Sequence, residues 1–209
     1  MEKNVYMHSV NHGNFFSKRD IKIVSYILAD KNVLSRRMQG FQDGSIFSGS
    51  DYISLCDYTK KDCLNNGQKN YNSFYSYIRH GISIAFDKDA LDNAYDVVTP
   101  TLIDPVTVKT MKYMRFLGEE AERFTDLPDE VQIKDKISTD HILYFTYPCE
   151  EFFYSKVFVR QESKRTKLLR EIKRFRQVLI DLDSVHPIYD IDTGILLDEE
   201  GIERILSKK

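Results

Sequence analysis

Short stretches that alternate apolar and polar residues, or that are rich in β-branched and aromatic residues, predict the β-strands of this chain. They fall at residues 5–10, 52–56, 81–86, 131–133 and 141–147. Residues 96–105 are also strand-like but are interrupted by prolines. Glycine, serine and asparagine are frequent between several of these stretches, which is typical of turns and loops.

Apolar residues at helical spacing predict three helices. In the first, Ile21 and Val24 share one face with Ile27 and Leu28, and Ser17 is suited to the N-cap position. In the last, the repeating apolar residues are Leu168, Ile172, Phe175, Leu179 and Leu182. The three helices are predicted at residues 18–29, at residues 110–124 and from about residue 161.

The order of these elements predicts a soluble α+β domain over residues 1–150, followed by a helical C-terminal extension over residues 151–209. Of the 209 residues, 42% are hydrophobic and 30% are charged, which is enough for a core and excludes a disordered or fibrous chain. The formal net charge is only -2, so the total charge indicates no acidic or basic partner.

The cysteines and the N-terminal residues indicate where the protein functions. Cys56, Cys63 and Cys149 have no metal-ligand spacing, and they are expected to be reduced thiols. The first residues lack the apolar run of a signal peptide, and no stretch approaches the roughly 18 apolar residues of a membrane span. We therefore expect a cytoplasmic protein with no membrane partner.

Two motifs resemble those of a known family. The run HSVNHGNF at residues 8–15, followed by the Ile27-Leu28 pair and by VLS at residues 33–35, is similar to the N-terminal motif of the DarT-type ADP-ribosyltransferase toxins that modify nucleic acid. The run DEVQIKDKI at residues 129–137 resembles the catalytic strand of that family, which opens with a glutamate. The resemblance covers roughly residues 5–145, and it implies an ADP-ribosyltransferase-like split mixed sheet, built as two small packed sheets flanked by helices.

The resemblance also implies roles for particular residues, with NAD as co-substrate and no metal. Glu130 is the expected catalytic residue, because a carboxylate beside the ribose stabilises the cation that forms when nicotinamide leaves. His8 is expected to hydrogen-bond a ribose, since a neutral imidazole does so without adding charge. The other residues expected to contact NAD are Ser9, Asn14, Arg36, Arg37, Tyr52 and Ser54.

The chain departs from the family pattern in three places. The segment between Asn14 and Ile27 is longer than the family pattern leads one to expect. Val10 stands where the family has a threonine, and YTKK at residues 58–61 replaces the loop that those toxins carry after the second strand. The target base and its sequence preference are therefore open.

The last predicted helix is rich in cations. A polyanion could bind along it, in a salt-sensitive manner, although a solvated helix surface explains the same residues. The residues assigned to nucleic-acid binding are Lys164, Arg165, Lys167, Arg170, Lys173 and Arg174.

We therefore expect an enzyme that transfers ADP-ribose from NAD to DNA or RNA, in a bacterial toxin or anti-phage defence module, with a cognate antitoxin as a further partner. Three alternatives stay open: the same chemistry on a protein side chain, an RNA 2′-phosphotransferase, and a non-catalytic module that binds nucleic acid or a partner protein.

Overall fold

A seven-stranded sheet lies at the centre of the fold, with helices on both of its faces. The computed structural model describes residues 1–10, 17–35, 38–39, 51–60, 74–99, 129–150 and 164–207. Its strands are β1 (Val5–Ser9), β2 (Asn32–Leu34), β3 (Tyr52–Asp57), β4 (Ser83–Asp87), β5 (Val97–Val98), β6 (Glu130–Lys134), β7 (Lys136–Ser138), β8 (Ile142–Tyr147) and β9 (Ile188–Asp190). Its helices are α1 (Ser17–Ala29), α2 (Phe74–Ile78), α3 (Lys88–Ala94), α4 (Lys164–Asp181) and α5 (Glu199–Ser207), with a 3-10 helix at Thr139–His141.

The central sheet has the strand order β5-β6-β3-β1-β4-β8-β9, and β2 pairs with β7 in a separate ribbon. Neighbouring strands of the central sheet are antiparallel, except that β9 runs parallel to β8. The predicted α+β class is confirmed. In the described residues the strands do not form two small packed sheets, because β1 hydrogen-bonds to β3 on one side and to β4 on the other and so joins them into one sheet.

Both faces of this sheet are buried. Helices α1 and α4 cover one face, which we call the α1/α4 face, where Ile21 and Val24 of α1 pack with Phe175 of α4 and with Tyr6 and Phe145 of the strands. The other face, the α2 face, is covered by α2. Its buried side chains include Met7, Cys56, Phe74, Ala85 and Tyr144. Burial on both sides explains why β4 and β8 are almost continuously apolar.

The C-terminal segment contributes to the same core. The apolar side of α4 that the sequence predicted lies against the sheet, and β9 adds a strand beside β8. Ile202 and Ile205 of α5 are also buried there. Residues 164–207 therefore contain a strand as well as helices, and they share a hydrophobic core with the described part of the first 150 residues.

Further comparisons with the sequence concern the start of α1, the start of α2 and the segments outside the described residues. Aromatic residues cluster at residues 71–77 of the sequence, and of these Phe74 and Tyr75 pack beneath the sheet. The predicted helix at residues 110–124 lies outside the described residues, and so does Cys63. Ser17, the predicted N-cap, is instead the first residue of α1, and its hydroxyl donates a hydrogen bond to Glu171 of α4 at 2.8 Å.

Candidate functional site

The strands β1 and β3 lie side by side over only part of their length. Their register pairs Tyr6 with Asp57 and Met7 with Cys56, whereas the register of β1 with β4 continues to Ser9. At His8, therefore, β1 remains paired with β4 while β3 follows β6. We call the place where β1 leaves β3 the fork.

His8 lies at the fork and is fixed by the backbone of β3. Its Nδ1 is 3.0 Å from the carbonyl oxygen of Ser54. Because a carbonyl oxygen only accepts hydrogen bonds, Nδ1 must carry the hydrogen, and in the neutral ring Nε2 is then an acceptor. Burial lowers the pKa of His8, while the bond to Ser54 opposes that change. The imidazole is therefore held neutral at physiological pH.

Glu130, the first residue of β6, reaches the same part of β3. Its carboxylate accepts hydrogen bonds from the Ser54 hydroxyl and from Nε2 of Gln132, the latter at 3.2 Å. Burial raises the pKa of Glu130, the two hydrogen bonds lower it, and the nearby charge of Asp129 raises it again, with a net increase. A half-buried carboxylate with a raised pKa is the kind of group found at sites of proton transfer or charge stabilisation.

Ser54 connects the two candidate residues, which reach it from opposite faces of the sheet. Glu130 is in register with Cys56, and Cys56 with Met7, so Glu130 lies on the α2 face. His8 follows Met7 and lies on the other face, because successive side chains of a strand alternate. The carbonyl of Ser54 accepts from the imidazole, and its hydroxyl donates to the carboxylate. The three residues thus form one chain of hydrogen bonds through the fork.

Asp129 fixes the position of Glu130 and was not singled out from the sequence. Its side chain is fully buried and accepts from the backbone N–H groups of Phe74 at 2.8 Å and Tyr75 at 2.9 Å, where α2 begins. Its carbonyl accepts from the N–H of Asp57 at 2.7 Å. Adjacent carboxylates therefore have different tasks: Asp129 holds α2 onto the end of β3, and Glu130 lies beside Ser54.

Two of the remaining residues predicted to contact NAD lie on strands of the central sheet. Tyr52 is half-buried and lies on the α2 face with Ser54 and Glu130, by the alternation along β3. Ser9 is buried and pairs with Ser83 of β4. Asn14, Arg36 and Arg37 lie outside the described residues.

The cations of α4 point in several directions. Arg165 is bound by Glu203 of α5 at 2.6 Å, and Arg174 donates to Glu171 at 3.2 Å. Arg170 and Lys173 are exposed, Lys167 is half-buried, and the Lys164 side chain is not described. The five predicted residues whose side chains are described therefore differ in exposure and in ion pairing.

No group of three or more histidine, cysteine, aspartate or glutamate side chains in the described part of the chain is arranged to hold a metal ion. None of the helices in that part has the length and apolar character needed to cross a membrane. Comparisons with protein-family models, with curated proteins and with solved structures found no match. The basis for a functional proposal is therefore the chemistry at the fork together with the motifs of the sequence.

Proposed function

We propose that this chain is an enzyme that breaks the bond between nicotinamide and ribose in NAD. More particularly, we propose that it is an ADP-ribosyltransferase whose acceptor is a nucleic acid. The observation that carries the proposal is the hydrogen-bonded chain from His8 through Ser54 to Glu130, which joins the two residues that the family motifs single out.

In the proposed reaction, the bond from the ribose C1′ to the nicotinamide nitrogen breaks, and its electron pair leaves with neutral nicotinamide. The ribose becomes an oxocarbenium-like cation, which the ionised carboxylate of Glu130 stabilises. A nitrogen or oxygen of the acceptor then bonds to C1′ and loses a proton. Glu130 can accept that proton, because its raised pKa makes it a better base than an ordinary carboxylate.

His8 positions the dinucleotide in this proposal. Because His8 and Glu130 lie on opposite faces of the sheet, NAD must extend through the fork to contact both side chains. With Nδ1 bound to Ser54, the neutral ring offers Nε2 as an acceptor for a ribose hydroxyl. The depressed pKa keeps the ring uncharged, so it places no positive charge near the developing cation.

The direct test is to incubate the protein with labelled NAD and with single-stranded DNA, RNA or total protein in separate reactions. We expect release of nicotinamide and label on DNA or RNA. Label on protein alone would favour the effector alternative, and loss of phosphate from a 2′-phosphorylated RNA would favour the phosphotransferase. If nicotinamide is not released in any reaction, the enzyme proposal is wrong and the binding-module alternative remains.

Replacement of His8 by alanine is expected to raise the KM for NAD about tenfold, the order of one lost hydrogen bond. His8→Asn is expected to have a smaller effect, because an amide N–H can still donate to the Ser54 carbonyl. Initial rates of nicotinamide release over a range of NAD concentrations measure both. An unchanged KM in His8→Ala would show that the imidazole does not contact NAD.

The pH dependence of the reaction is expected to follow Glu130. The ionised form is active, and its pKa is raised, so activity should fall on acidification at a higher pH than for an ordinary glutamate. In Ser54→Ala the hydrogen bond that lowers the pKa is lost, and the acidic limb should move to still higher pH. Profiles of kcat against pH test this. Ser25→Ala is the matched control, since that hydroxyl bonds to the Lys22 carbonyl on α1. An unmoved limb in Ser54→Ala would assign the limb to another group.

A further inference from the structure

Helices α1 and α4 lie side by side on the α1/α4 face. Both bury apolar residues in the same core, and Ser17 at the start of α1 bonds directly to Glu171 in the middle of α4. Tyr147 of β8 donates to the same Ser17 hydroxyl at 3.2 Å, which fixes the contact onto the sheet. Because both helices cover one face of one sheet, their outward sides form a continuous surface.

Charges are segregated across this pair of helices. The one carboxylate in the sequence of α1, Asp20, is fully buried. In α4 the one carboxylate before the final Asp181 is Glu171, which is also buried. Lysine and arginine residues of the two helices are exposed instead. Arg165 pairs with Glu203 of α5, and the other exposed cations are Lys18, Arg19, Lys22, Arg170, Lys173 and Arg174. We call these six residues the α1/α4 basic surface.

This distribution differs from that of an ordinary solvated helix, on which exposed acidic and basic side chains alternate and pair. Arg19 is 3.7 Å from Asp20, and Glu171 is 3.8 Å from Arg170 and 3.2 Å from Arg174, so buried carboxylates anchor three of the cations. Within the described residues, Lys18, Lys22 and Lys173 form no ion pair with a carboxylate. The positive charge of the basic surface is local, because the net charge of the chain is only -2.

An exposed aromatic ring accompanies the cations. Lys18, Lys22 and Tyr26 are spaced four residues apart and follow one ridge of α1. Tyr26 is 56% exposed, and the Lys22 Nζ lies 5.5 Å from its ring centroid. Cations that contact phosphates, together with an exposed ring on which a base can stack, are the usual means of binding single-stranded nucleic acid.

We propose that the α1/α4 basic surface and Tyr26 bind the single-stranded nucleic acid that accepts ADP-ribose. The inference rests on the proposed function, since it names the surface that holds that substrate. The start of α1 lies at the end of the sheet that holds the fork. Ser17 contacts Tyr147 of β8, and the preceding Thr146 pairs with Ser83 of β4, which also pairs with Ser9 of β1. The phosphodiester backbone contacts the cations, a base stacks on Tyr26, and the neighbouring nucleotides reach the fork.

The test measures binding apart from chemistry. A fluorescent single-stranded oligonucleotide is titrated with Glu130→Gln protein without NAD, and the dissociation constant is measured by anisotropy at several salt concentrations. Adding Lys18→Gln and Lys22→Gln together should weaken binding several-fold and reduce the salt slope by about 1.4, because each phosphate contact on a single strand contributes about 0.7. Tyr26→Leu should weaken binding with the slope unchanged. Melting temperatures show that the variants are folded.

Lys134→Gln with Lys136→Gln is the matched control, because both lysines are exposed near the β6–β7 turn. Equal affinities for the control and for the Lys18 and Lys22 double variant would overturn the proposed surface, and so would absence of oligonucleotide binding by the parent protein. These outcomes are independent of the proposed chemistry. If nicotinamide is not released but the surface binds the oligonucleotide, the enzyme proposal fails and the proposed surface stands. If nicotinamide is released but the double variant binds as tightly as the control, the proposed surface fails and the enzyme proposal stands.

Discussion

Glu130→Gln is expected to reduce the kcat for nicotinamide release by about 100- to 1000-fold, the order found when one preorganised stabilising group is removed from an active site. Glutamine keeps the size of the side chain and one acceptor oxygen for Ser54, but it carries no charge to stabilise the ribose cation. Initial rates at saturating NAD measure the loss. Glu199→Gln is the control, because Glu199 is exposed in the first turn of α5 and should leave the rate unchanged.

The same variant should not be less stable than the parent protein at neutral pH. Because the fold raises the pKa of Glu130, the folded state favours the protonated form, and the ionised form opposes folding above that pKa. Removal of the charge is therefore stabilising or neutral at pH 7, and the difference should vanish as the pH falls below the ordinary glutamate range. Thermal melting from about pH 3 to pH 8 would detect it. If Glu130→Gln retained full activity and melted like the parent protein, Glu130 would have no catalytic role.

Asp129→Ala is expected to have the largest effect on stability, a loss of about 3 kcal/mol, because two buried backbone N–H groups lose their acceptor. In a chain of this size such a loss lowers the melting temperature by roughly 6 to 12 °C. The N–H groups belong to Phe74 and Tyr75, so the start of α2 should become unstable. Chemical or thermal unfolding gives the size of the effect.

Two further variants test whether the loss of stability comes from the Asp129 carboxylate. Asp129→Asn keeps one acceptor oxygen and should be intermediate in stability. Asp96→Ala removes an exposed carboxylate and should change the free energy of unfolding by no more than about 0.5 kcal/mol. If Asp129→Ala melts like Asp96→Ala, the carboxylate does not secure α2.

Much of the secondary structure could be predicted because local patterns dominate it. Alternation along residues 52–56 indicated β3, and the apolar spacing from Leu168 to Leu179 indicated α4. The strand that begins at Glu130 was also predicted, so the first residue of β6 could be singled out before its surroundings were known. Both patterns arise because one side of each element is buried, so that apolar residues recur at the period of a strand or a helix.

Other features depend on contacts between distant segments, and no local pattern contains them. Asp129 and Glu130 are adjacent carboxylates, and only the placement of α2 makes the first an anchor for backbone N–H groups. The link between His8 and Glu130 depends on the register of β1, β3 and β6, and that register is not encoded in any one strand. The strand β9 was missed for a similar reason, since three residues give too short a period to recognise.

The parallel pairing of β9 with β8 has a practical consequence for shortened versions of this protein. A fragment ending near residue 150 would retain the fork, but β8 would become an open edge, and the apolar residues that α4 covers, such as Phe145, would face water. Open edges and bare apolar patches promote self-association. Minimal versions for expression or crystallisation should therefore extend at least to the end of α5.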